Sequence, residues 1–282
     1  MSGTMPTGAA RVAGVTGWPV KHSLSPRLHG FWLRRHGIDG IYAPFPVEPD
    51  DFAAAIRGLR AAGLAGLNVT VPHKRAAFEI ADELDGAARA IGAVNTLVFE
   101  AGGRIVGRNT DAPGFMANLR QHGVDPSAGP ATVIGAGGAA RAALHGLLEA
   151  GAPAVRIANR TRAKADALVE EFGDPRLAAE PWPLPAAVLG QTALLVNTTS
   201  LGMAGQPPLE IDLAPLAASA VVHDIVYVPL ETPLLAAARR HGLKTVDGLG
   251  MLLHQAAPAF EAFYGAAPAV DTALREHLLE VL

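Results

Sequence analysis

The 282-residue chain is half hydrophobic and only 17% charged, which excludes a disordered chain and allows a substantial core. A formal net charge of −3 excludes a broad electrostatic attraction to nucleic acid, and the lack of cysteine removes disulfides, thiolate metal sites and thiol nucleophiles. No stretch of ~20 apolar residues exists to span a membrane, and the opening MSGTMPTGAARV lacks the apolar run of a signal peptide, so the expectation is a soluble cytoplasmic protein.

Short β-branched runs alternate with longer Ala/Leu-rich stretches, the rhythm of βα units and mainly parallel sheets. In the first third, strands are expected near 11–15, 41–47 and 66–71, and helices near 26–36 and 51–62. Ser25 reads as an N-cap, with Pro26 at the first helical position and Gly37 past the end. Asp50 reads as the cap of the second helix and Gly63 as its stop. In NVTVPHK (68–74), Val69 and Val71 are spaced as strand anchors, yet the run carries Asn68, Thr70 and Lys74, and Pro72 ends the ladder.

A different rhythm starts after residue 110. The segment AGPATVIGAGGAARAALHGLLEAGAPAVRIANR predicts strand 131–135, a glycine turn, a helix to about 150 closed by Gly151, and strand 155–159. Further strands are expected at 193–197, 220–226 and 244–246. A helix starts at Thr232-Pro233, loops cover 181–185 and 202–208, and the last 35 or so residues are helical.

GAGGAA (135–140) follows a strand and opens a helix, as a dinucleotide fingerprint requires. Gly135 permits the tight turn, Gly137 lets a pyrophosphate approach, and Ala140 lets helix and strand pack. Ala136, Gly138 and Ala139 complete the loop, whose helix N-terminus supplies N–H groups and partial positive charge. NAD-binding chains usually place an acid at the end of the next strand to hold the ribose hydroxyl. Here Asn159, Arg160, Thr161 and Lys164 stand there instead, an amide, a hydroxyl and cations that suit a 2′-phosphate, so NADP is expected over NAD. Arg162 reads as a solvated helix start.

Three polar clusters lie outside this unit: GWPVKHSLSP with Ser23 and Ser25, NVTVPHK, and the pair AVNTL and GRNTDAPGF with Asn95, Asn109, Thr110 and Asp111. Each taken alone has a structural reading, as a cap or a turn. Together they supply hydroxyls, amides, one lysine and one carboxylate, a set suited to a small polyhydroxylated substrate. The ten histidines show no metal-ligand spacing, and no metal is expected.

The ordered series HSLSP, NVTVPHK, AVNTL, GRNTD, GAGGAAR, NRT, NTTSLGM and DGLGMLLHQAAPAF resembles the shikimate dehydrogenase family along nearly the whole chain. The resemblance implies NADPH-dependent reduction of 3-dehydroshikimate to shikimate, in the route to aromatic amino acids. It implies a two-domain α/β architecture: residues 1–110 plus 248–282 as a substrate domain, residues 111–247 as a Rossmann domain, and an active-site cleft between them. Ser23 and Ser25 would hold the substrate carboxylate, and Asn68, Thr70, Asn95 and Gln255 the ring hydroxyls. Lys74 and Asp111 match the catalytic pair, and Tyr227 a tyrosine that reaches the substrate. Ile225, Gly248 and Met251 would line the nicotinamide. Gly30 stands where the family often has Asn, and Ile225 where Met is common. His73 and His254 receive no role. The alternatives are a quinate/shikimate dehydrogenase using NAD, disfavoured by S-x-S and the basic NRT loop, and a dinucleotide sensor without catalysis, disfavoured by the retention of Lys74 and Asp111. A monomer or homodimer is expected, acting on a small molecule.

Overall fold

The computed structural model describes residues 5–282. The chain divides into two compact units. One runs to Thr110 and takes up Leu253–Val281; the other is Asp111–Leu252.

The first unit holds β1 (Arg11–Gly17), α1 (Ser25–His36), β2 (Gly40–Pro46), α2 (Phe52–Ala61), β3 (Gly66–Val69), α3 (Lys74–Ile80), β4 (Glu83–Leu84), α4 (Gly86–Ile91), β5 (Thr96–Phe99) and β6 (Ile105–Arg108). Its sheet has the order β2-β1-β3-β5-β6-β4. β1 runs parallel to β2 and β3, whereas β5 is antiparallel to both β3 and β6. β4 runs parallel to β6, so the sheet is mainly parallel, as expected, and only the two pairings of β5 are antiparallel. β2 lies at the sheet edge, where prolines such as Pro44 and Pro46 are tolerated. Phe52, Ile56, Leu67, Val69, Ala77 and Leu97 build one core between sheet and helices.

Three local expectations are corrected. β3 stops at Val69, and Val71 is 69% exposed, so of the two valines only Val69 anchors the strand. Ser25 is the first residue of α1 rather than its cap; Leu24 stands at the cap, and Ser23 Oγ accepts the Ser25 N–H at 3.3 Å. A 3-10 turn over Pro49–Asp51 precedes α2, so Asp51 rather than Asp50 takes the cap position, and no side chain there accepts a backbone N–H. The two aspartates still lie at the positive end of the helix dipole. Gly37 closes α1 with φ 61°, as a left-handed C-cap requires.

The second unit holds α5 (Asp111–Gln121), β7 (Ala131–Ile134), α6 (Gly138–Glu149), β8 (Val155–Ala158), α7 (Arg162–Phe172), β9 (Leu177–Glu180), α8 (Ala186–Leu189), β10 (Leu194–Asn197), β11 (Val221–Asp224), α9 (Pro233–Arg240) and β12 (Lys244–Val246). The sheet order is β12-β11-β10-β7-β8-β9, and every neighbouring pair is parallel. The strand order reverses at β7, a switch point outside which ligands bind at carboxyl ends. β7, β10 and β11 are buried at every residue, as a sheet covered on both faces demands. Thr232 caps α9 by accepting the Leu235 N–H at 3.2 Å, ahead of Pro233.

α10 (Leu249–Tyr264) begins in the second unit and continues in the first, followed by α11 (Thr272–Leu279). The returning segment is fastened to α1 by the Trp32 indole N–H donating to Ala269 O at 3.0 Å, and by Arg35–Asp271 and Arg27–Glu280 ion pairs. Burial of Trp32 beside Phe260 stabilises this joint more than the exposed pairs do. Among the described residues no helix is long and apolar enough to cross a membrane, and no cluster of His, Asp and Glu could hold a metal ion.

Candidate active site

The polar residues of the first unit gather at the ends of its central strands. Asn68 is in register with Thr96 across β3 and β5. Asn68 is 6% exposed, and its amide is engaged on both sides: Tyr42 O–H donates to Oδ1 at 2.7 Å, and Nδ2 donates to Thr96 Oγ1 at 3.0 Å. Thr96 O–H donates in turn to Asn95 Oδ1 at 3.1 Å, which also accepts the Thr110 N–H at 2.8 Å. Asn95 Nδ2 donates to Thr110 Oγ1 at 2.9 Å and to Gln255 Oε1 at 3.3 Å. One chain of hydrogen bonds therefore joins Asn68, Asn95 and Gln255, three of the expected substrate residues from β3, the β5 entry and α10.

Ser25, 6% exposed, joins the chain at its other end through a hydrogen bond to the Tyr42 hydroxyl. Burial holds the Tyr42 phenol well above its ordinary pKa, so it stays a neutral donor. Ser23 is half-buried and occupied with the Ser25 N–H. Thr70 follows β3, its N–H donating to Thr16 O at 2.9 Å. A Cβ on Gly17 would come within 2.4 Å of Thr70 Cγ2, so glycine there is what lets Thr70 settle. Asn109 is committed to structure, donating to Ala93 O at 2.9 Å.

Lys74 is the first residue of α3 and half-buried, and its carbonyl accepts the Val94 N–H at 3.0 Å. His73, given no role from sequence, proves to be the anchor. It is 2% exposed, stacks on Phe52 with centroids 4.6 Å apart, and has a ring nitrogen 2.8 Å from Val47 O. The backbone that presents Lys74 is pinned by its neighbour. Asp111 is 5% exposed and opens α5, directly after the Thr110 that bonds Asn95.

In the second unit, Gly135 ends β7 at φ 111°, and a Cβ there would sit 2.6 Å from Thr198 Oγ1. Only glycine meets both conditions. Gly137 stands at the cap of α6, no side chain caps that helix, and a Cβ on Gly137 would meet nothing within 4 Å. Gly138 and Ala139 open the helix half-buried, Ala136 packs partly on the core, and Ala140 is fully buried. This open cradle of backbone N–H groups fits a pyrophosphate. At the end of β8, Asn159 Nδ2 donates to Thr161 O at 2.9 Å, shaping the turn, while Arg160 and Lys164 are exposed. Arg162 pairs with Asp166 at 2.8 Å one helical turn on, in keeping with its surface reading.

Ile225 and Met251 share the core cluster of the second unit, Met251 at 8% exposure. A Cβ on Gly248 would lie 2.1 Å from Ile225 O, so glycine allows the two backbones to touch. Tyr227 is half-buried just beyond. Behind them lies a network that sequence reasoning missed. Asp224 accepts from Asn197 Nδ2 at 2.9 Å, Val226 N–H at 3.0 Å and Thr232 O–H at 2.7 Å. Asn197 Oδ1 also accepts both the N–H and O–H of Thr199. Burial outweighs these bonds and pushes the Asp224 carboxyl up to about 6. Asn197 and Thr199 lie in NTTSLGM, and Asp224 and Val226 lie in the stretch DIVYVP (224–229) around Ile225 and Tyr227; that was the available signal.

Family models match on both sides of the chain. Residues 15–97 match the shikimate dehydrogenase substrate binding domain, and residues 120–200 match shikimate/quinate 5-dehydrogenase. An NADP(+) shikimate dehydrogenase of Rhodospirillum rubrum is 59% identical over 280 residues, covering 98% of this chain and 99% of its own. The chain belongs to the shikimate dehydrogenase family. Its fold is shared by the family's solved members. The Thermus thermophilus enzyme, in complex with NADP(H) and shikimate, is 38% identical with a TM-score of 0.87 over 96% of this chain and 100% of its own. A Corynebacterium glutamicum quinate dehydrogenase in complex with NAD is 30% identical with a TM-score of 0.89, over 96% and 99%. Family membership and a Rossmann-type second unit thus stand together, as the fingerprint at 135–140 led one to expect.

Proposed function

We propose that this protein is an NADP-dependent shikimate dehydrogenase, reversibly reducing 3-dehydroshikimate to shikimate. The observation that carries this reading is agreement along 98% of the chain with an NADP(+) shikimate dehydrogenase. The polar chain from Ser25 to Gln255 supports it, because it offers hydroxyls and amides to a small ring acid. Ser23 and Ser25 take the carboxylate. Asn68, Thr70, Asn95, Gln255 and Tyr227 take ring oxygens.

NADPH, when bound, supplies the hydride. Gly135, Ala136, Gly137, Gly138 and Ala139 would hold its pyrophosphate with backbone N–H groups at the uncapped start of α6. Asn159, Arg160, Thr161 and Lys164 would meet the 2′-phosphate, and the exposure of both cations leaves them accessible for it. Ile225, Gly248 and Met251 shape the nicotinamide wall. As the substrate carbonyl gains negative charge, Lys74 meets its oxygen and delivers a proton, and Asp111 shares in returning it. In the oxidative direction the same two groups take the proton from the alcohol.

No acid stands at the end of β8, which supports NADP over NAD, and Ser25 in S-x-S supports shikimate over quinate. The chain acts in the cytoplasm as a monomer or homodimer, with no nucleic-acid or membrane partner. The test is a spectrophotometric assay of four pairs, shikimate or quinate with NADP or NAD. The shikimate–NADP pair should give the highest kcat/KM. A higher value with quinate and NAD would overturn the substrate and cofactor assignments, and no reduction with any pair would overturn the enzyme.

A further inference from the structure

We propose that Tyr42 is a positioning residue for the substrate: its hydroxyl fixes which way the Asn68 amide faces and, through Thr96, which way Asn95 faces. The proposal rests on the reading above in one respect, that Asn68 and Asn95 touch the ring hydroxyls.

A carboxamide has a donor end and an acceptor end, and turning it over exchanges them. An Asn that reads a hydroxyl is useful only if one orientation is enforced. The structure shows how this happens in the first unit. Tyr42 O–H donates to Asn68 Oδ1 at 2.7 Å, so the oxygen end faces the tyrosine. The nitrogen end donates to Thr96 Oγ1 at 3.0 Å, which leaves the Thr96 proton to donate to Asn95 Oδ1 at 3.1 Å. That contact, with the Thr110 N–H at 2.8 Å on the same Oδ1, turns the Asn95 nitrogen toward Thr110 Oγ1 and Gln255 Oε1. The side-chain bonds point the same way, from Tyr42 to Gln255, while the Thr110 N–H holds Asn95 Oδ1 from the side, and no side-chain bond can be reversed alone. Reversing Asn68 would make the Tyr42 oxygen accept and draw the Thr96 proton to Asn68, leaving Thr96 Oγ1 and Asn95 Oδ1 face to face with no proton between them.

The phenol itself has little freedom. Tyr42 is 8% exposed and lies flat on the His29 imidazole, with centroids 3.8 Å apart and planes 8° from parallel. His29 is fully buried, and its two ring nitrogens have no hydrogen-bond partner among the described residues. It is hemmed by Trp32 at 5.8 Å and Phe260 at 5.8 Å. It therefore acts as an apolar wall that fixes the ring plane of Tyr42. The returning helix α10 contributes to both ends of this arrangement, with Phe260 behind the wall and Gln255 at the end of the chain.

The experiment is steady-state kinetics on the full-length protein with shikimate and NADP. Tyr42→Phe removes one oxygen and keeps the stacking. Loss of a bond to a buried amide should raise KM for shikimate about five- to tenfold, with KM for NADP unchanged and kcat altered less than KM. A general loosening of the fold would not produce that split. Thr96→Val breaks the next link, keeps the volume, and should act in the same direction; Thr96→Ser, which restores a hydroxyl, should return KM toward wild type. Asn68→Ala supplies the control. If Asn68→Ala raises KM for shikimate and Tyr42→Phe does not, the positioning role is overturned while the substrate reading stands. If Asn68→Ala leaves KM unchanged, the assignment of Asn68 to the substrate has failed, and the positioning role falls with it. In the Asn68→Ala background, Tyr42→Phe should add less than twofold; a full additive effect would show that Tyr42 acts elsewhere and overturn the proposal.

Discussion

The two units offer different parts for ligand recognition. On the function proposed above, side chains would do the reading in the first. Tyr42, Asn68, Thr96, Asn95, Thr110 and Gln255 are locked into one directional chain before any ligand arrives. In the second, the backbone would do it. Gly135 and Gly137 clear space, and the uncapped N-terminus of α6 presents N–H groups to open volume. The difference follows from the ligands. A ring with several hydroxyls must be told from its relatives by donors and acceptors of fixed direction, whereas a pyrophosphate needs concentrated partial charge and room.

Substitutions can break this contrast, and the largest effect is expected at Lys74. Lys74→Ala should lower kcat by about 10³-fold, within the range for lost general acid catalysis, while the Kd for NADP measured by calorimetry stays at the wild-type value. A variant within about threefold of wild-type kcat would remove Lys74 from the chemistry.

Next in size is a stability effect at the wall behind Tyr42. Burial pushes the His29 imidazole down to about 3 from an ordinary 6.5. The unfolded chain therefore binds that proton first. The stabilisation from neutral His29 is present above pH 6.5 and is lost as pH falls toward 3. His29→Phe should flatten the acid limb of stability by about 3 kcal/mol between pH 7 and pH 4, read by urea unfolding at both values. Asp224 in the second unit runs the other way. Its carboxyl is raised to about 6 from 3.8, so its contribution is full below pH 3.8 and lost as pH rises through 6. Relative to wild type, Asp224→Asn should gain about 2 kcal/mol on going from pH 4 to pH 7. A constant difference between wild type and variant would show that the carboxyl titrates in the ordinary range.

The smallest expected effect sharpens the cofactor side. Arg160→Ala should raise KM for NADP about tenfold, the weight of one charge-assisted hydrogen bond, and leave KM for NAD nearly unchanged. Equal losses for both cofactors would move the 2′-phosphate contact elsewhere.

Much of this was legible in the sequence for identifiable reasons. GAGGAA after an apolar run and before a helical one left few alternatives, because a φ of 111° beside Thr198 excludes every residue but glycine. Gly37 marked the end of α1 by the same logic. What the sequence concealed depended on tertiary placement. The pairing of β5 against β3 brings Asn68 opposite Thr96, and no local pattern announces that register. The role of His73 requires Phe52 and Val47 from another element. Tyr42 reads as one more β-favouring aromatic on an edge strand until its hydroxyl is seen on Asn68. Val71 shows the converse: its spacing fits a strand, yet the ladder stops two residues earlier and leaves it exposed.

The contrast between units is tested most directly by one crossed measurement: the Kd of Asn68→Ala and of Gly137→Val for shikimate and for NADP, by calorimetry. Asn68→Ala should weaken shikimate and spare NADP. Gly137→Val, whose side chain enters open space and so spares the fold, should weaken NADP about tenfold or more, ~1.4 kcal/mol, and spare shikimate. Loss of both ligands in either variant, or an unchanged shikimate Kd in Asn68→Ala, would contradict the account.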